Sequence, residues 1–134
     1  LWMKASCGID VTELPRKIAF CNYTILSDKP FVVEDLTTDE RFRDNPLVMS
    51  EPRLRFYAGA PLVVAAGTRV GAFCLVDTKP RHFSGAERAI LSLLAAQVSY
   101  ELMTRVSPEV RRELSKGEFF AGAQTAEAFF RNVG

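Results

Sequence analysis

The chain has 134 residues, 48% hydrophobic and 25% charged, the balance of one ordinary globular domain. Seventeen basic residues oppose sixteen acidic ones for a net charge of +1, and no basic block stands out, which argues against a nucleic-acid surface. No apolar run reaches the ~18 residues of a membrane span, and three cysteines without a CxxC pair argue against a disulfide framework or a zinc site, so a reducing cytoplasmic setting is expected.

In chain order, the opening LWMKAS reads as the end of a strand, and LWMKASCGID lacks the apolar core of a signal peptide. CGID turns, with Gly8 free to take positive φ. Pro15 suits the first position of a short helix through RKIAFCNYTIL, with Ile18, Cys21 and Ile25 on one face. Phe31 to Val33 is a short strand. Thr37 and Glu40 have capping-box spacing, and Asn45-Pro46 ends the helix they start.

Phe56 to Val64 reads as a strand through Ala58-Gly59-Ala60-Pro61. Pro61 places that stretch at an edge, a bulge or a bend, and Gly59 marks a bulge or a close approach. AAGTR turns, and VGAFCLVD returns as a second strand. Val70, Ala72, Cys74 and Val76 share one face, with Gly71, Phe73, Leu75 and Asp77 on the other. Both faces are mostly apolar, which predicts a central strand covered on both sides. Asp77 ends it by accepting turn amides. His82 follows in a polar loop and is alone, so no metal cluster can form around it.

Ser84 and Glu87 form a second capping box, and a long helix runs to about Arg105. Ile90, Leu91, Leu94, Val98 and Leu102 give the face expected to meet the sheet. Leu93, Ala96, Tyr100 and Met103 form a second stripe, which packs within the chain or on a second copy as a homodimer interface. Residues 106–134 read as a helical C-terminal extension. Ser107-Pro108-Glu109 starts a helix, Gly117 stops it, and Phe119, Phe120, Phe129 and Phe130 need cover.

Several separated motifs resemble the GAF domain family, in a subgroup joined to bacterial-type signalling outputs. They are Phe20-Cys21, Glu40-Arg41-Phe42 through Asn45-Pro46, RFYAGAPL from Arg55 to Leu62, and GxxCxxDxxPR from Gly71 to Arg81. The resemblance covers Leu1 to Met103 and implies an α+β fold related to PAS domains. In it an antiparallel sheet carries helices on one face and a cap on the other. The family's first helix and first strand have no counterpart, so residues 1–105 are expected to be an N-terminally incomplete GAF-like domain. Tyr23 stands where the subgroup has a histidine.

The resemblance implies a sensory module with a small molecule bound beneath the cap, relaying to an output domain such as a kinase or cyclase. Phe20, Cys21, Phe42, Phe56, Tyr57 and Cys74 are the candidate pocket; the simpler reading is that the four rings fill the core under the cap and the two thiols serve as packing. No cofactor is named. The cyclic-nucleotide signature and the bilin-type cysteine–histidine pair are missing from the sequence. Two alternatives stand: a ligand-free dimerisation module, and a thiol enzyme resembling free methionine sulfoxide reductase, which lacks that enzyme's local cysteine motif here. No Ser-His-Asp set, paired-carboxylate motif or phosphate loop points to other catalysis, so the domain is read as a non-enzyme.

Overall fold

The computed structural model describes residues 1–116. Three strands, β1 (Phe31–Val33), β2 (Phe56–Val63) and β3 (Arg69–Asp77), form an antiparallel sheet in the order β1-β2-β3. The helices are α1 (Cys21–Thr24), α2 (Pro46–Met49), α3 (Gly85–Thr104) and α4 (Pro108–Ser115). One core lies between β2 and α3, built on Phe56, Ala58, Ala60, Leu62, Leu91 and Ala95. A second lies on the opposite face, where Val33 and Tyr57 meet Phe20, Leu36, Phe42, Val48 and Leu54 from the segments that form the cap. This is the α+β arrangement that the motifs imply.

The long helix starts as its sequence demands. Ser84 Oγ accepts from Glu87 N at 3.2 Å, and Glu87 Oε2 accepts from Ser84 N at 2.7 Å. Its buried face is rotated from the expected one. Leu91, Ala95, Ser99 and Leu102 face the sheet, whereas Ile90 and Leu94 are 56% and 48% exposed. The small residues decide this. Ala95 and Ser99 let α3 approach β2 closely enough for Ser99 Oγ to accept from Val63 N at 3.0 Å while donating to Ala95 O at 2.7 Å.

Among the described residues β3 lies at the edge of the sheet, not at its centre, and Leu75 is exposed. The central strand is β2, buried from Phe56 to Leu62. Pro61 is tolerated there because β1 stops at Gly59, leaving Pro61 paired only with Ala72 of β3, one residue before a register shift. Asp77 ends β3 as expected, accepting from Lys79 N at 3.1 Å and pairing with Arg81.

Four local expectations fail for identifiable reasons. Leu1–Ser6 adds no strand to the sheet. It folds back through Gly8 (φ +77°) onto residues 12–14, with a bridge between Trp2 and Glu13. The helix expected from Pro15 is broken. A single 3-10 turn at Arg16–Ile18, with Pro15 ahead of it, is followed by Ala19 in an extended conformation, and α1 starts two residues later. The break allows the adjacent Ala19 and Phe20 both to be buried, which one face of a continuous helix does not provide.

Thr37 and Glu40 form no capping box. Asp35 Oδ1 takes the Thr37 amide at 2.9 Å and its hydroxyl at 2.6 Å, and Asp39 Oδ1 takes the Arg41 amide at 2.9 Å, so aspartate-centred turns replace a helix. Asn45-Pro46 starts a helix instead of ending one. Asn45 Oδ1 accepts from Leu47 N, and Pro46 occupies the first position of α2. α4 begins at Pro108 as expected; the proposed stop at Gly117 and the phenylalanines that follow lie outside the described residues.

Candidate functional site

The cap-side face is an aromatic layer. Phe20 enters from the break before α1, Tyr23 from α1, Phe31 from β1, Phe42 from the turns after β1, and Tyr57 from β2. Phe20 and Phe42 meet edge to face at 5.2 Å, Tyr23 meets Phe42 in the same way at 4.9 Å, and Tyr23 stacks on Phe31 at 5.6 Å. Such pairs contribute about 0.5–1.5 kcal/mol each beyond buried area. Phe20, Phe42 and Tyr57 are at most 4% exposed, so rings occupy the space between cap and sheet.

Arg41 closes the outer side. Its guanidinium lies 5.1 Å from the Phe31 and Phe42 centroids and 5.5 Å from that of Tyr23. Asp39 holds it in place through two parallel contacts, Nε to Oδ1 at 2.9 Å and Nη2 to Oδ2 at 2.6 Å. The Arg41 hydrogen bond holds the Asp39 carboxyl below its ordinary value against a small burial penalty, and Asp39 raises Arg41 in return.

Beneath the rings lies a polar cluster. Antiparallel pairing puts Gly59 opposite Cys74 and Tyr57 opposite Val76, all on the cap side. Gly59 leaves a gap that the Tyr57 hydroxyl fills. From there Tyr57 Oη contacts Thr24 Oγ1 at 2.7 Å and donates to Cys21 Sγ at 3.5 Å. Cys21 and Cys74 pack on the same cluster and interact electrostatically. The interaction with Cys74 is the largest cause lowering the Cys21 pKa; burial opposes it, and Tyr57 adds to the lowering. Cys74 is pushed up by the same interaction and then by burial, and Tyr57 is pushed up chiefly by burial, which keeps its proton available for donation.

An open cleft of about 370 Å³ lies on the outer side of the cap, lined in part by Lys17, Asn22, Tyr23, Arg41, Phe42 and Asn45. Both amides are already engaged: Asn22 Nδ2 donates to Arg16 O and Asn45 Nδ2 to Ile18 O. The polar groups left to a visitor are thus mainly the Lys17 ammonium and the open side of Arg41. A second groove of about 380 Å³ runs between β2 and α3, past Pro61, Val63, Ala96, Tyr100 and Met103.

The structure brings together five of the six pocket residues: Phe20, Cys21, Phe42, Tyr57 and Cys74. Phe56 is separated from them. It faces α3 in the other core, 5.6 Å from the Phe83 ring. Adjacent strand residues point to opposite faces, so the Phe56-Tyr57 pair itself carried that signal. Leu93 and Tyr100 are 70% and 65% exposed, Ala96 is exposed, and Met103 is partly packed on the core. Sequence reasoning missed Tyr23, Phe31, Arg41 and Thr24. Arg41 lies inside a motif used for the resemblance, whereas Thr24 had no signal.

Over 80 residues the chain is 52% identical to a cyclic di-GMP phosphodiesterase of Pseudomonas aeruginosa; the match takes in 60% of this chain and 14% of that protein's length. A solved domain assigned to a two-component sensor histidine kinase protein of Sinorhizobium meliloti 1021 is similar at a TM-score of 0.48 and 17% identity, covering 68% of this chain and 59% of the other. The family model described as GAF domain matches residues 2–102, three-quarters of the chain, and the chain belongs to the GAF domain family.

Proposed function

We propose that this GAF domain is the regulatory module of a larger signalling protein and takes a small, planar, anionic ligand in the cleft at the outer side of the cap. The observation that carries this reading is the meeting of Lys17 and Arg41 with the Tyr23 and Phe42 rings in one open cleft. A flat anion gains there from ring contact and from two cations. The space beneath the cap is a less suitable seat, because Phe20, Phe42 and Tyr57 fill it. The output domain belongs to the part of the protein outside this chain. A second-messenger phosphodiesterase fits that role, as in the Pseudomonas relative. The ligand biases the output by binding one arrangement of cap and terminal helices more tightly than the other.

The test is native mass spectrometry of the freshly purified chain, repeated under denaturing conditions. A non-covalent mass that is lost on denaturation, and lost when Lys17 and Arg41 are both alanine, is the expected result. A wild-type chain that carries no added mass and passes as a dimer would replace this reading with the next one.

That second reading is a dimerisation module, and the exposed face of α3 favours it. Ile90, Leu93, Leu94 and Tyr100 are all at least 48% exposed along one helix of 20 residues, a concentration of apolar surface that monomers generally avoid. Leu93→Glu with Tyr100→Glu is expected to convert a dimer to a monomer in sedimentation with the circular dichroism unchanged. A dimer that survives both substitutions places the interface elsewhere.

A further inference from the structure

We propose that Cys21 and Cys74 are a hydroperoxide-reactive thiol pair that closes into a disulfide, tying α1 of the cap to β3 of the sheet. The two cysteines are 53 residues apart in the chain, and each has a reason to be where it is. Cys21 opens α1, and α1 packs on β2 and β3. Cys74 lies on the cap side of β3, opposite the one β2 position that has no side chain. The gap at Gly59 admits the Tyr57 hydroxyl and Thr24 of α1, and Cys21 Sγ lies 3.5 Å from that hydroxyl, so two distant thiols border one cluster.

The cluster is asymmetric in a way that suits a stepwise oxidation. Both thiols are partly exposed, but Cys21 Sγ accepts from the Tyr57 hydroxyl at 3.5 Å and its pKa is lowered while that of Cys74 is raised, so it is the sulfur that gives up its proton first. Thr24 supports this polarity: its hydroxyl can donate to Tyr57 Oη while Tyr57 donates to Cys21. Among the described residues, the titratable groups acting on Cys21 are Cys74 from β3, Tyr57 from β2 and, more remotely, the N-terminal ammonium.

The chemistry balances with a hydroperoxide as oxidant. The Cys21 thiolate attacks one peroxide oxygen; the S–O bond forms, the O–O bond breaks, and the leaving hydroxide takes the released proton as water. The Cys74 sulfur then attacks Cys21 sulfenic acid. The S–S bond forms, the S–O bond breaks, and a second water leaves with the Cys74 proton. Two thiols lose two electrons and two protons, and hydrogen peroxide becomes two waters. A thiol reductant reverses the link. Cys7 is exposed and serves as an internal comparison.

The experiment treats the reduced chain with a slight excess of hydrogen peroxide, blocks free thiols and maps the peptides by mass. The expected result is loss of two hydrogens per chain, a Cys21–Cys74 linked peptide, and Cys7 still free to be blocked. In Cys74→Ser, dimedone should trap the sulfenic acid at Cys21. Iodoacetamide labelling of Cys21 should rise with pH below the ~8.5 of an ordinary thiol, and Tyr57→Phe should move that rise to higher pH. Oxidation confined to Cys7, or a disulfide that includes Cys7, would overturn the proposal. The wild-type map is decisive even where a variant fails to fold, and it does not depend on whether the cap cleft holds a ligand.

Discussion

Phe56→Ala is expected to lower the unfolding free energy by roughly 3–5 kcal/mol, the range for removing a buried phenylalanine ring. Phe56 is the first residue of β2 and is 2% exposed. Its ring joins the sheet to α3, in one cluster with Leu91 and Ala95 and beside Phe83. Strand β2 is held by β1 and β3 on either side, so the backbone cannot close the space, and the cavity adds to the lost transfer energy. Domains of this size are stable by about 5–15 kcal/mol, so the loss is a large part of the whole. Urea unfolding should show a lower midpoint with an unchanged slope. Leu75→Ala, at an exposed position of β3, should cost about 1 kcal/mol or less. Equal midpoints for Phe56→Ala and the parent would remove Phe56 from the core.

Gly59→Ala should cost roughly 2–4 kcal/mol, through crowding and not through a cavity. A Cβ here would lie 2.7 Å from Thr24 Oγ1, 2.9 Å from Tyr57 Cζ and closer still to the Tyr57 hydroxyl. Central β2 has no freedom to retreat, so the Tyr57 ring must move. That breaks the contact with Thr24, which is fully buried, and strands two hydroxyls without water. Gly59→Ala with Tyr57→Phe should recover part of the loss, because the phenol oxygen is the nearest obstacle; full additivity in a double-mutant cycle would rule out this account. Gly85→Ala is the control: its Cβ meets open space in the first turn of α3, and the change should be neutral or slightly stabilising. Both Gly59→Ala and Tyr57→Phe should also weaken the response of Cys21 to peroxide, which links the packing prediction to the thiol chemistry.

Much of this fold was legible because the signals are local. The Ser84/Glu87 box, the β2–β3 hairpin, strand β1 and the turn at Gly8 each depend on residues a few positions apart, and each forms as read. The motif set from Phe20 to Arg81 identified the family for a related reason: residues that must meet across a cap and a sheet keep their order and spacing. Local signals also misled where a nearer partner competed. Asp35 took the Thr37 hydroxyl that a capping box would have used, and Asn45 capped a helix at the step expected to end one.

Other features depend on which surfaces meet. A strand apolar on both faces reads as central, but among the described residues β3 is at the edge and is only partly buried on both faces. The stripe with the largest side chains on α3 reads as the buried one. The sheet instead took the narrower face of Leu91, Ala95 and Ser99, because close approach and the Ser99 bond to Val63 outweigh side-chain size. The candidate site shows both kinds of information. Phe20, Phe42 and Tyr57 were readable as rings needing cover, and they cover one another. That Cys21 and Cys74 border one cluster depends on Gly59 in the neighbouring strand, whose missing side chain leaves room for the Tyr57 hydroxyl and Thr24 of α1. Such proximity is a property of packing between distant segments, and no spacing along the chain encodes it.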